Sequence, residues 1–155
     1  MSLKIESKAP DFILKNSEGK EVKLSDFRGE KNVLILFFPL AFTSTCTEEL
    51  CSTRDNMKIY SSLEAEVLAI SVDSFFTLKE FKKAQNYNFQ LLSDFNREVS
   101  RSYKSIYDDF YGMKGVSKRS AFVINKEGII TYAEVLDDAG KLPDFHKIRE
   151  TLSRK

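Results

Sequence analysis

The chain has 155 residues, 42% of them hydrophobic and 30% charged, the balance of a globular protein with room for a sizeable core. Its 24 Lys and Arg nearly cancel 23 Asp and Glu, so a net charge of +1 offers no global field to recruit nucleic acid or a membrane surface. Two cysteines do not make a disulfide scaffold, and with His146 as the one histidine, a zinc site would need both cysteines plus carboxylates, an uncommon ligand set.

The opening stretch from Met1 to Lys8 lacks the long apolar run of a signal peptide, and the most apolar run, Val33 to Phe38, is too short to cross a bilayer. Both observations favour a cytoplasmic protein. The turn Asn16-Ser17-Glu18-Gly19, followed by Val22 and Leu24 alternating with charged residues, predicts an N-terminal β-hairpin. Asn32 to Phe38 is continuously apolar, as expected of a strand buried on both faces, and Pro39 ends it. A helix is expected from about Thr45 to Tyr60, then a second buried strand from Val67 to Val72. Next come a helix near Thr77 to Asn86 with Phe81 and Ala84 inward, and a short strand over Gln90 to Leu92. Val99, Tyr103 and Ile106 recur at helical spacing, which predicts a helix over Glu98 to Ile106. Ala121 to Ile124 and Ile129 to Tyr132 flank Asn125-Lys126-Glu127-Gly128 and read as a hairpin. A last helix starts near Pro143 and packs Phe145, Ile148 and Leu152 inward. No repeat, low-complexity tract or Gly/Pro-rich linker divides the sequence, so one domain is expected over residues 1–155. This order implies an α/β fold with a mixed central sheet flanked by helices, the order a thioredoxin-like fold requires.

The chemistry concentrates between the first buried strand and the helix after it, where open α/β sheets usually bind ligands. Thr45 and Glu48 have capping-box spacing, which puts Cys46 in the first helical turn. A sulfur there faces unpaired backbone N–H groups and the positive end of the helix dipole, and both favour the nucleophilic thiolate. Glu48 and Glu49 oppose this as like charges, so a cation is required from elsewhere in the fold. Position alone leaves a plain alternative open, in which Cys46 is an inert buried cysteine.

The string Pro39-x-x-x-Thr43-x-x-Cys46, extended through Thr47, Glu49 and Leu50, resembles the active-site signature of the peroxiredoxin family. It is most like the alkyl hydroperoxide reductase E and bacterioferritin comigratory protein branches. Ala9-Pro10-Asp11-Phe12, Leu24-Ser25-Asp26-Phe27-Arg28-Gly29 and Arg119-Ser120-Ala121-Phe122-Val123-Ile124 extend the likeness over essentially the whole chain. The resemblance implies a thiol-dependent peroxidase that reduces hydrogen peroxide and organic hydroperoxides without metal or flavin. Cys46 would be the peroxidatic thiolate, Thr43 a hydrogen-bonding partner of the peroxide, Pro39 a shield against water and Arg119 the missing cation. Glu49 would orient an arginine by pairing. Alone, Thr43 and Pro39 read as turn chemistry and Arg119 as a surface charge beside a strand. A thioredoxin-like or low-molecular-weight thiol would be the reductant, and a homodimer is implied, with Phe75, Phe76, Tyr107, Phe110 and Tyr111 as candidates for its face or for ordinary packing. Phe42, in the loop itself, would line the peroxide entrance or sit at an interface.

Cys51 follows Cys46 by five residues, a rise of about 7.5 Å and a turn of about 140° on an intact helix. Disulfide geometry is out of reach until the helix unwinds. Cys51 is then either a structural apolar residue or, as in some bacterioferritin comigratory proteins, the cysteine that resolves the Cys46 sulfenic acid. Thr43 and Cys46 occupy the Cys-x-x-Cys spacing of a dithiol oxidoreductase, so dithiol exchange at that pair is ruled out. A peroxide sensor that hands oxidation to a partner remains the main alternative from another class. A Ser-His hydrolase lacks its Gly-x-Ser-x-Gly elbow, and no P-loop or dinucleotide fingerprint occurs.

Overall fold

A computed structural model describes residues 3–154; Met1 and Ser2, which open the stretch read for a leader, and Lys155 lie outside it. The N-terminal hairpin forms as expected, β1 (Ile13–Asn16) antiparallel to β2 (Glu21–Lys23). Asn16 Oδ1 accepts from the Glu18 and Lys20 amides, and Gly19 takes the left-handed φ of 77° that closes the turn. The apolar runs become the buried centre of the sheet: β3 (Asn32–Phe37), β4 (Ala65–Ser71) and β5 (Gln90–Ser93), mutually parallel in the order β5-β4-β3. β8 (Ser120–Ile124) runs antiparallel to β3, and β9 (Ile130–Val135) antiparallel to β8. The hairpin joins the other edge through β1 and β5, which gives a seven-stranded mixed sheet, β2-β1-β5-β4-β3-β8-β9. A separate two-stranded ribbon pairs β6 (Ile106–Tyr107) with β7 (Val116–Ser117).

Successive residues of each central strand face opposite sides, so two cores form. Leu34, Leu36, Phe38, Val67, Ala69, Leu91, Ala121 and Val123 pack on one side against Leu50, Tyr60, Leu78, Phe81, Ile148 and Leu152 from the helices. Val33, Ile35, Phe37, Leu68, Ile70, Leu92, Phe122 and Ile124 face Ala9, Phe12, Leu24, Val99 and Tyr103. No helix among the described residues is long and apolar enough to cross a membrane.

Four helix boundaries differ from expectation, each for a local reason. The helix foreseen over Thr45 to Tyr60 is two, α1 (Ser44–Asp55) and α2 (Met57–Ser62), because the Asn56 side chain donates to the Ser52 carbonyl and its backbone leaves the helical region. The next is α3 (Phe75–Gln85), capped by Ser74, whose hydroxyl accepts from the Thr77 amide, and closed by Asn86 in the left-handed region. The helix foreseen to Ile106 stops early as α4 (Glu98–Ser102): Lys104 turns left-handed, Ser105 N–H returns to the Ser100 carbonyl, and Ile106 enters β6. The last, α5 (Phe145–Ser153), is capped by Asp144, so Pro143 stands just before the cap rather than inside the first turn.

Candidate active site

Where β3 ends, the chain turns through Pro39 to Phe42 and enters α1. Thr43 is the cap of α1 and Ser44 its first residue. The expected capping box is therefore absent: Thr45 lies inside the helix, and no side-chain hydrogen bond caps it. The Thr43 carbonyl receives both the amide and the hydroxyl of Thr47, at 2.9 and 2.8 Å, while the Thr43 hydroxyl donates back to the Leu40 carbonyl at 2.8 Å. Cys46 still falls in the first turn, at the positive end of a twelve-residue helix.

The cation required beside Cys46 is Arg119. Its side chain comes from the residue just before β8, the strand paired with β3, so sheet register carries it across to α1. Arg119 Nη2 donates to Cys46 Sγ at 3.1 Å, Nη1 to Glu49 Oε1 at 2.9 Å, and Nε to the Ala139 carbonyl at 2.9 Å. All three side chains are out of water: Cys46 and Glu49 are 0% exposed and Arg119 1%. One guanidinium thus serves two groups that can each be anionic in a medium where charge is costly. Burial pushes the Glu49 carboxyl up to about 7, against the pull of Arg119, and among the described residues its Oε2 has no hydrogen-bond partner. Arg119 itself, despite desolvation, is held in its charged form by Glu49 and Cys46.

Sequence expectation and structure agree on the meeting of Cys46, Arg119 and Glu49, and they place Pro39 buried at the strand end. Thr43 is exposed at the mouth of the helix, with its hydroxyl turned to Leu40. Phe42 is 54% exposed, holds a left-handed φ of 67°, and lays its ring 4.9 Å from that of Phe81. Cys51 does not face Cys46: both thiols are free, α1 is unbroken between them, and the Cys51 sulfur meets Gln85 and Tyr87. Of the aromatic residues singled out for an interface, Phe76 and Tyr111 are 70% and 89% exposed, whereas Tyr107 is buried and donates to the Leu136 carbonyl.

One residue of the site was not foreseen. Asp73, just beyond β4, accepts through Oδ2 from the Ala41 amide at 2.8 Å and the Ser71 hydroxyl at 2.6 Å, and so pins the loop that carries Pro39 and Thr43. Its place after a buried strand's carboxyl end was the signal for it.

The AhpC/TSA family model matches residues 5–133. Alkyl hydroperoxide reductase E of Mycobacterium tuberculosis is 38% identical over 135 residues, 86% of each chain. The putative peroxiredoxin bcp of Buchnera aphidicola is 40% identical over 144 residues, 90% of this chain and 87% of that protein. Among solved structures, the peroxidoxin BcpB of Mycobacterium tuberculosis superposes with a TM-score of 0.86 at 25% identity over 97% of this chain and 96% of its own. The reduced 2-Cys peroxiredoxin of Plasmodium vivax gives 0.85 at 28% identity, covering 96% and 79%.

Proposed function

Because the chain belongs to the AhpC/TSA family and has the fold and activity class of a thiol-dependent peroxidase, we propose that it works as a single domain whose peroxidatic group is the Cys46 thiolate. The observation that carries this reading is the 3.1 Å contact from Arg119 Nη2 to the buried Cys46 sulfur. A fixed positive charge and the dipole of α1 both favour a thiolate there.

In the reaction, the Cys46 thiolate attacks one oxygen of a hydroperoxide, a sulfur–oxygen bond forms and the oxygen–oxygen bond breaks. The departing oxygen takes a proton and leaves as water or an alcohol, and Cys46 becomes a sulfenic acid. Negative charge grows on the departing oxygen as the bond breaks. In this reading Arg119 and the first-turn amides of α1 balance that charge, without reorganisation at the moment of reaction. Thr43 reaches the peroxide by turning its hydroxyl from the Leu40 carbonyl toward the sulfur. Pro39 keeps water from the thiolate, and Glu49 holds Arg119 in place. Hydrogen peroxide and organic hydroperoxides are the substrates in this reading.

The sulfenic acid is resolved by Cys51 within the chain, or else by an external thiol, and a thioredoxin-like or low-molecular-weight thiol completes the cycle. A homodimer in the cytoplasm fits two free thiols and the exposed rings of Phe76 and Tyr111.

Intact-mass analysis after one equivalent of peroxide tests the assignment. The Cys51→Ser variant gains one oxygen, about 16 Da, on Cys46. The Cys46→Ser variant is expected to remain unmodified; oxidation of it at the wild-type rate contradicts the role of Cys46.

A further inference from the structure

Cys51 sits among polar partners that the peroxide step does not use. Its thiol donates to Gln85 Oε1 at 3.5 Å, and its sulfur lies 3.8 Å from the Tyr87 hydroxyl. Tyr87 is 4% exposed, with its ring edge-on to Phe81 at 5.1 Å and tilted against Phe89 at 5.2 Å. That packing fixes the ring, and among the described residues Cys51 is the hydrogen-bond partner of its hydroxyl. A buried tyrosine oxygen ordinarily finds such a partner, and here the partner is a thiol. The segment is also tied down nearby. Arg54 Nη1 donates to the Gln85 carbonyl at 2.6 Å, and Asn88 Nδ2 to the Arg54 carbonyl at 3.3 Å. The second half of α1 is thus fastened to the end of α3, whereas the side-chain tie of the first half runs through Arg119 to Cys46 and Glu49.

We propose that Tyr87 is a positioning residue for the second half of the cycle, its hydroxyl donating to the Cys51 sulfur as that thiol gives up its proton to attack oxidised Cys46. The proposal rests on the reading of Cys51 as the resolving cysteine. In the step, a sulfur–sulfur bond forms and the sulfur–oxygen bond of the sulfenic acid breaks. The departing hydroxide combines with the proton released by Cys51, so one water leaves and the oxidation is retained as a disulfide. A donor to sulfur favours the thiolate, and an acceptor favours the thiol. Tyr87 and Gln85 therefore act on one sulfur in opposite senses: Gln85 holds the thiol at rest, and Tyr87 supports the nucleophile.

A single-turnover experiment with one equivalent of hydrogen peroxide across a pH series separates the two steps. A sulfenic-acid trap reports Cys46 oxidation, and intact mass reports the Cys46–Cys51 disulfide. Tyr87→Phe is expected to oxidise Cys46 at the wild-type rate but to form the disulfide about tenfold more slowly, as for loss of one hydrogen bond to a charged group. Its pH midpoint for disulfide formation moves up, and that of Gln85→Met moves down. A wild-type rate and midpoint in Tyr87→Phe, equal slowing of both steps, or a midpoint displaced the same way in both variants overturns the role of Tyr87. Absence of the disulfide in the wild-type protein overturns it together with the Cys51 reading and leaves Cys46 as the peroxidatic residue.

Discussion

Three nitrogens of one guanidinium are engaged in the site: Arg119 serves Cys46, Glu49 and a backbone carbonyl at once. A lysine could not reproduce that fork, because its ammonium is a single point of charge. The cost of the arrangement falls on Glu49, whose fully buried carboxyl is pushed from an ordinary 4.5 to about 7 and whose Oε2 has no hydrogen-bond partner among the described residues. A group whose folded-state value is raised gives stability that is complete below its unfolded value and is lost as pH rises through the folded one. The unfolding free energy of the wild-type protein minus that of Glu49→Gln should therefore fall between about pH 4.5 and pH 7. Its slope should not exceed about 1.4 kcal/mol per pH unit. Denaturant titrations of both proteins over that range measure it, and a flat difference contradicts a titrating Glu49. Cys46, Thr43 and Arg119 were singled out through the family resemblance of their own segments, Arg119 in one that lies 73 residues beyond Cys46 and that read by itself only as a surface charge beside a strand. Asp73 and Tyr87 lie outside those segments, and they meet Ala41 and Cys51, 32 and 36 residues away in the chain, only through tertiary packing.

At the scale of elements, α1 is a helix with two different anchors. Its first turn is held by Arg119 through the Cys46 sulfur, and in the proposed reaction that attachment weakens when oxidation converts a thiolate into a sulfenic acid. Its second half is held by the Arg54 guanidinium on the Gln85 carbonyl and by Asn88 on the Arg54 carbonyl, contacts that involve no atom of Cys46. Trapped as the sulfenic acid in Cys51→Ser, the protein should show backbone amide exchange faster by roughly tenfold at Thr47 and Glu48, with Thr53 to Asp55 unchanged. Uniform loosening of the whole helix contradicts a divided α1. The existence of α1 was readable from the sequence, and its edges were not. Thr45 and Glu48 offered a cap that the chain declined, because the Thr43 carbonyl already receives two groups of Thr47. Asn56 broke the helix by bonding to the Ser52 carbonyl, a competition that a periodicity of apolar residues does not reveal.

For the molecule as a whole, the sheet is what brings the chemistry together. β3 delivers Pro39 and the first turn of α1, its antiparallel neighbour β8 delivers Arg119, and its parallel neighbour β4 delivers Asp73. The central strands were plain in the sequence because burial on both faces leaves an unbroken apolar run. The pairing of β1 with β5, and the ribbon of β6 and β7, join segments of four and two residues, too short to carry a pairing pattern of their own. These elements meet at the Cys46 sulfur, and steady-state consumption of hydrogen peroxide with a thiol reductant tests its proposed role. Cys46→Ser should lose essentially all activity, while Cys51→Ser keeps its peroxide-reducing step and depends on an external thiol. Peroxide turnover surviving in Cys46→Ser would contradict the role of Cys46 as the peroxidatic residue.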